Sequence, residues 1–419
     1  MLYMKKTINT QATQQTFNQE TLKLFECYFD GTEGWKYAPQ AKYTPTDIFT
    51  RAYQASAKNT SLETVCKVHH GCSADRVHDR LGDLTFESTV QRFNDMYRDI
   101  TQRFQYHGNK VTTVSCDLTD KPYYGSKEQE LCLGSKPKEG TYWFNRYFTA
   151  CLNGKSVNLP VYGLPLRQED DIRPGSLIWQ FFRETHHWLG FSRVLLDGYF
   201  VASEVFNCLD HYQCEYLMNM KRTKAVKKQT QEILNKLRKE ALSDGVNVGR
   251  PKAFYRWIKK KGQTTHHFTV KVKSASNRPI PVVLVLVLVR RYVKGKGWRW
   301  KLEPWSYTTN IQASGDYLVK LYKSRWGIET QYRVAHQFQA TTTSPKTMVR
   351  VFLYLLGFVL LGLWCYLNLL LNREIDIPTS PRKTRPLFPA YVTDRILLTS
   401  VLLLELIKAQ WTILEEVQL

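Results

Sequence analysis

Residues 111–118 read VTTVSCDL, a run of β-branched and apolar side chains with an aspartate, Asp117, set inside it. Such side chains fit a pleated, half-buried surface, so the run predicts a strand. A carboxylate there must be compensated, and the usual compensator is a cation or a metal ion. Outward from it the chain keeps its strand character. A turn-rich stretch, TDKPYYGSKE, leads to TYWFNRYFTACL and SVNLPVYGLPL, with Asn153-Gly154 between them, the dipeptide of tight hairpins. A helical stretch over 172–189 follows, then the strand FSRVLLD ending on Asp197, a short helix over 203–211 and the strand EYLMNMK. Three strands and then alternating helix and strand predict a mixed α/β sheet.

Upstream, residues 1–105 read as helical. Pro45 and Thr46 open one helix, Thr60 and Glu63 have the Thr-x-x-Glu form of a capping box, Gly71 breaks the chain and Ser73 caps SADRVHDRL. Short helices joined by a tight turn predict a helix-turn-helix over about 45–82, with Arg76 and Arg80 on one face as candidate DNA contacts. An ordinary helical bundle with solvated arginines has the same spacing. Cys66, His69, His70, Cys72 and His78 match no ordinary zinc-finger spacing.

Downstream, residues 222–305 interrupt the α/β rhythm. A basic, helical run (KRTKAVKKQTQEILNKLRKEAL) passes into the strands HHFTVKVKS, VVLVLVLVRRYV and GWRWKLEPW, the pattern of a β-rich insertion. Helical character returns over 316–338. Residues 351–371 form an uncharged apolar run, and 377–389 a proline-rich linker to a last helix over 392–406. The domain plan is therefore 1–105 helical and DNA-binding, 106–221 with 306–372 as the α/β domain, 222–305 inserted, and 373–419 as linker and C-terminal helix.

The chain of 419 residues carries 59 Lys and Arg against 37 Asp and Glu, a net charge of +22. That excess argues for a polyanionic partner, nucleic acid or an anionic membrane. Residues 221–301 hold 23 Lys and Arg against 3 acids, so the excess is concentrated there, and Lys221 and Arg222, which open the run, are candidate DNA contacts. Hydrophobic residues make up 43%, enough for a sizeable core, which excludes a disordered or fibrous chain. Nine cysteines without CxxC pairs fit a reducing cytosol. The run 351–371 is long enough to span a bilayer, but Asn368 and a mean hydropathy of −0.39 for the whole chain favour a core helix.

Three acids stand where a carboxylate is expensive: Asp117 in a strand, Asp197 at a strand end, and Glu329 on the helix LYKSRWGIETQYR. Clustered hard oxygen ligands suit Mg²⁺ or Mn²⁺, and a two-metal pair supports in-line phosphoryl displacement. Asp120 is the nearest rival to Asp117, but falls in the turn chemistry before Pro122. Trp298, Trp300 and Trp305 lie in basic, strand-like surroundings where an aromatic can stack on an unpaired base, Trp300 being the candidate. The pairs His186/His187 and His266/His267 share no spacing with the acids and read as surface or core.

In CDLTDKPYYGSK, VLLDGYF and Tyr322-x-x-Arg325-x-x-x-Glu329 the chain resembles the DDE-type transposases of prokaryotic insertion sequences, in the branch with a β-rich insertion before the catalytic glutamate, and especially its archaeal members. The resemblance covers about 45–372. It implies an RNase H-like sheet with Asp117, Asp197 and Glu329 holding two Mg²⁺ or Mn²⁺ ions, and Tyr322 and Arg325 contacting phosphates at a transposon end. The signature's lysine position falls on His336, a departure, and Arg333 is placed to supply that charge instead. The resemblance further implies double-stranded DNA, both transposon ends and target, as partner. It also implies a homodimer or multimer in the end-paired complex, no membrane, and a cytoplasmic place on a prokaryotic chromosome. A DNA-binding regulator with a dead metal site and a single-pass membrane protein are the alternative readings.

Overall fold

The computed structural model describes residues 10–29, 42–69, 71–107, 111–127, 129–154, 158–272, 276, 278–295 and 297–374; the expected C-terminal helix and its linker lie outside them. The chain divides into two compact units. One takes 1–111, 118–169 and 329–419, the other 112–117 and 170–328.

The first unit is built on the apolar run. The helix α12 (Thr347–Glu374) is 89% buried over its most apolar stretch, because other elements of this unit surround it. Phe352 meets the rings of Phe25 on α1 (Thr10–Phe29), Phe49 on α2 (Pro45–Ala57) and Phe93 on α5 (Phe86–His107), at centroid distances of 6.3, 6.4 and 5.1 Å. From α5 the Tyr97 hydroxyl donates to the Leu355 carbonyl at 2.8 Å. The expected hairpin is β3 (Thr141–Asn153) with β4 (Asn158–Pro165), antiparallel from Asn153↔Asn158 onward. In β4, a Cβ on Gly163 would lie 2.9 Å from Leu355 Cδ2, so glycine lets the strand touch α12. An additional strand, β2 (Cys132–Lys138), pairs with the start of β3. Its sequence, CLGSKPK, has neither alternation nor β-branching to announce it.

The expected short helices are α3 (Leu62–Val68) and α4 (Ala74–Gly82). Ser61, one residue after the expected Thr60, caps α3 by accepting from Thr64 N. Thr60 is instead held by its backbone, its N–H donating to Ala55 O and its carbonyl accepting from Thr341 N. The capping box falls earlier, at Thr44 and Asp47 of α2. On α4, Val77 and Leu81 are fully buried as their i, i+4 spacing requires.

The second unit carries the parallel part of the sheet. The strand β1 (Thr113–Pro122) pairs in parallel with β5 (Arg193–Leu196), and β5 with β6 (Glu215–Asn219). The insertion strands continue the same sheet: β9 (Gly297–Thr309) lies antiparallel to β6, then β8 (Pro279–Val293), then β7 (Thr265–Lys271). Within this unit the strand order is β1-β5-β6-β9-β8-β7. The run VVLVLVLV in β8 is explained by burial on both faces. Val283 and Val285 pack with Leu195, Tyr307 and Leu318, whereas Leu284 and Leu286 face α8 (Lys224–Ser243) and α9 (Pro251–Lys260) through Leu237, Phe254 and Ile258. The insertion therefore opens with two helices, and α6 (Pro174–Leu189) and α7 (Ser203–His211) complete the α/β pattern. This is the mixed α/β sheet expected from the sequence, with a helical N-terminal part.

Candidate active site

Parallel pairing sets the two aspartates. The register runs Thr113↔Arg193, Val114↔Val194, Ser115↔Leu195. Two further steps bring Asp117, midway along β1, level with Asp197, just past the carboxyl end of β5. Asp197 caps the 3-10 turn Gly198–Phe200, its Oδ1 accepting from Tyr199 N at 2.7 Å. A Cβ on Gly198 would lie 3.0 Å from the Asn219 carbonyl and 3.1 Å from Lys221 Cγ. The missing side chain thus lets Lys221 run close by, with its ammonium 5.8 Å from the Tyr199 ring centre.

The signature residues approach the same place from α10 (Gly315–Ser324), which Ser314 caps. The helix stops at Arg325, whose N–H donates to Tyr322 O at 3.0 Å, and α11 (Trp326–Ala335) begins immediately after it. Arg325 is only 8% exposed. Its Nη1 donates to Asp117 Oδ2 at 3.0 Å and its guanidinium lies 5.7 Å from the Tyr322 ring centre. The Tyr322 ring also meets Tyr307 at 5.1 Å. Burial pushes the Tyr322 phenol up to about 12; Arg325 opposes the shift, and Asp197 and Asp117 add to it. Tyr322 therefore feels both aspartates, and Arg325 links it to Asp117 by direct contact.

A divalent cation fits this donor set. Two carboxylates level on adjacent strands are hard oxygen ligands, and Arg325 already lies in contact with one of them as a cation. Among the described residues no three His, Cys, Asp or Glu side chains gather closely enough to hold a metal ion. Glu329 is exposed on α11, four residues past Arg325. Asp120 is engaged elsewhere, in a two-pronged pair with Arg146 (2.6 and 3.1 Å). In the N-terminal helices, His78 pairs with Glu63 and His69 with Lys58.

Beside the cluster lies a cleft of about 830 Å³, with Tyr322, Trp305 and Trp326 in its wall and Lys221, Arg222 and Arg290 among its cations. Trp298 and Trp300 are exposed on the β8–β9 hairpin, at 59% and 41%, under Arg290 and Lys252 respectively. Trp305 is half-buried against the core. Arg76, Arg333 and His336 are exposed and Arg80 is half-buried. Sequence reading missed Trp326 and Lys121. Trp326 is 63% exposed, and a lone tryptophan beside Arg325 was the only available signal. Lys121 places its ammonium 2.6 Å from the ring nitrogens of His336, and no spacing links residues so far apart in the chain.

Residues 164–363 match the family described as "Transposase DDE domain". The match takes in Asp197, Tyr322, Arg325 and Glu329 and leaves Asp117 outside it. No curated protein matches the chain. Among solved structures, a pre-cleavage Mos1 transpososome is similar at 11% identity and TM-score 0.17, over 50% of this chain and 77% of that one. A Mos1 strand transfer complex is similar at 13% identity and TM-score 0.17, over 45% and 60%.

Proposed function

We propose that this chain, whose residues 164–363 match the transposase DDE domain family, binds the terminal inverted repeats of an insertion sequence, cleaves them and joins them to target DNA. The observation that carries this reading is the level pair Asp117 and Asp197 with Arg325 and Tyr322 packed against it. DDE transposases use divalent metals. Here Asp117 and Asp197, joined by Glu329, would hold two Mg²⁺ or Mn²⁺ ions. Bound there, divalent ions would supply activation of a water or a 3′-hydroxyl and stabilisation of the leaving oxygen in an in-line displacement. The chain's own part is positioning. Tyr322 and Arg325 take phosphate oxygens of the end, and Lys221, Arg222 and Arg290 in the adjoining cleft hold the flanking backbone. Trp300, on the exposed hairpin, offers a face to an unpaired base. Arg333 on α11 and His336 just past its end take further backbone phosphates, and Arg76 and Arg80 read the end from α4. Both ends are held by a homodimer or multimer on the chromosome of a prokaryotic cell.

The test is a Mg²⁺-dependent nicking assay on an inverted-repeat duplex. Asp117→Asn and Asp197→Asn should each lower the rate at least about a thousandfold. Asp120→Asn should keep cleavage and lower only the melting temperature, since it loosens the pair with Arg146. Wild type and Asp197→Asn cutting equally well would sink the assignment. End binding without any cutting would leave a DNA-binding regulator.

A further inference from the structure

A second cleft, of about 540 Å³, lies wholly within the first unit, and no acidic residue lines it. Among the described residues its two cations are Lys121 and Arg350. The Lys121 ammonium donates to Gln339 Oε1 at 2.9 Å and lies 5.5 Å from the Tyr354 ring centre. Arg350 spends its donors on Gln129 Oε1 and the Ser344 carbonyl, with its guanidinium 4.2 Å from the Tyr123 ring centre. Among the described residues neither cation has a carboxylate within ion-pair distance. The wall also holds Tyr354, 5% exposed, whose buried hydroxyl has no hydrogen-bond partner among the described residues. Asn145, 5% exposed, adds a polar side chain. At the rim stands Tyr124, 71% exposed, its ring fixed by a hydroxyl bond to the Glu139 carbonyl at 2.8 Å.

Sheltered cations without an ion-pair partner, Lys121 feeling only the more distant Glu139 carboxylate, and a buried hydroxyl without a partner are costly unless a ligand completes them. Small-ligand clefts run to roughly 300–1,000 Å³, a range that includes this one. We propose that this cleft is a nucleotide site, taking the phosphate of a nucleoside phosphate on Lys121 and Arg350 and its base against the Tyr124 ring. It is separate from the aspartate cluster, and its occupancy does not depend on the chemistry assigned there. The phosphate could come from a free nucleotide or from a single strand of nucleic acid.

Burial lowers the Lys121 ammonium to about 7, so its free amine is open to acylation near neutral pH. The experiment follows that acylation in the full-length chain by peptide mass spectrometry, in chelator and without metal. The probes are inorganic phosphate, a deoxynucleoside 5′-monophosphate and a short thymidine oligonucleotide. A saturating ligand should slow Lys121 labelling about tenfold, the worth of one charge-assisted contact. Protection by the monophosphate identifies a free nucleotide as sufficient, and protection by the oligonucleotide alone identifies the strand. Tyr124→Ala, at an exposed position that the fold does not need, should raise the half-protecting concentration about fivefold, the loss of one stacking face. No protection by either nucleotide probe, inorganic phosphate protecting equally well, or an unchanged Tyr124→Ala value would each overturn the proposal.

Discussion

Arg325 gives Asp117 the positive charge that a metal ion would otherwise bring. The pair is mostly sheltered, with side chains 10% and 17% exposed, so a cation approaching Asp117 competes with a fixed guanidinium. Without DNA, Arg325→Met should therefore bind Mn²⁺ about tenfold more tightly than wild type by electron paramagnetic resonance titration. Weaker binding would mean that Arg325 orders Asp117 and does not compete for it. Lys121 makes a stability prediction. Its folded pKa, about 7, lies below its unfolded value. The unfolded chain thus binds more protons between pH 7 and about 10, and this residue's contribution to stability rises with pH over that window. From pH 7 to 9 wild type should gain about 2 kcal/mol in urea unfolding relative to Lys121→Met. A parallel pH dependence in the two proteins would refute the burial. The sequence disclosed the acids, because Asp117 and Asp197 break otherwise apolar strands. It did not disclose Arg325's partner. Helical spacing alone puts Tyr322, Arg325 and Glu329 on one face, whereas the helix breaks at Arg325 and turns it onto Asp117.

Among the elements, β8 shows how periodicity can be read and where it stops. Its unbroken apolar run marks a strand covered on both sides, but cannot say by what; α8 and α9 supply one cover and α10 the other. Leu284→Ala, fully buried toward α8 and α9, should cost about 2–5 kcal/mol in chemical denaturation. Trp298→Ala at the exposed end of the hairpin should stay within about 0.5 kcal/mol. Comparable losses at the two positions would contradict the packing. The same logic divides the expected elements. The helix expected over 203–211 forms with those limits because its apolar face is regular. The strand β2 was illegible because its pairing with β3, and not its own pattern, makes it a strand.

For the whole molecule, charge and packing separate. Residues 221–301 carry 20 of the 22 net positive charges, all within the unit that holds Asp117 and Asp197. Replacing Lys221, Arg222 and Arg290 with Glu should flatten the slope of log affinity against log salt for end DNA by about 3. Three equivalent changes outside that segment should move it less; an equal effect would show the charge to act globally. Composition made this legible, because counting charges along the chain needs no fold. The packing around α12 was only half legible, since an apolar run announces a core without naming its neighbours. Its neighbours set an order for biosynthesis. Phe93 leaves the ribosome long before Phe352, the ring it packs on. At about 5–20 residues per second the N-terminal helices must wait roughly 10–50 s for their apolar partner. A nascent chain in that interval presents bare aromatic faces, and a message cut short before α12 yields helices with nothing to close upon.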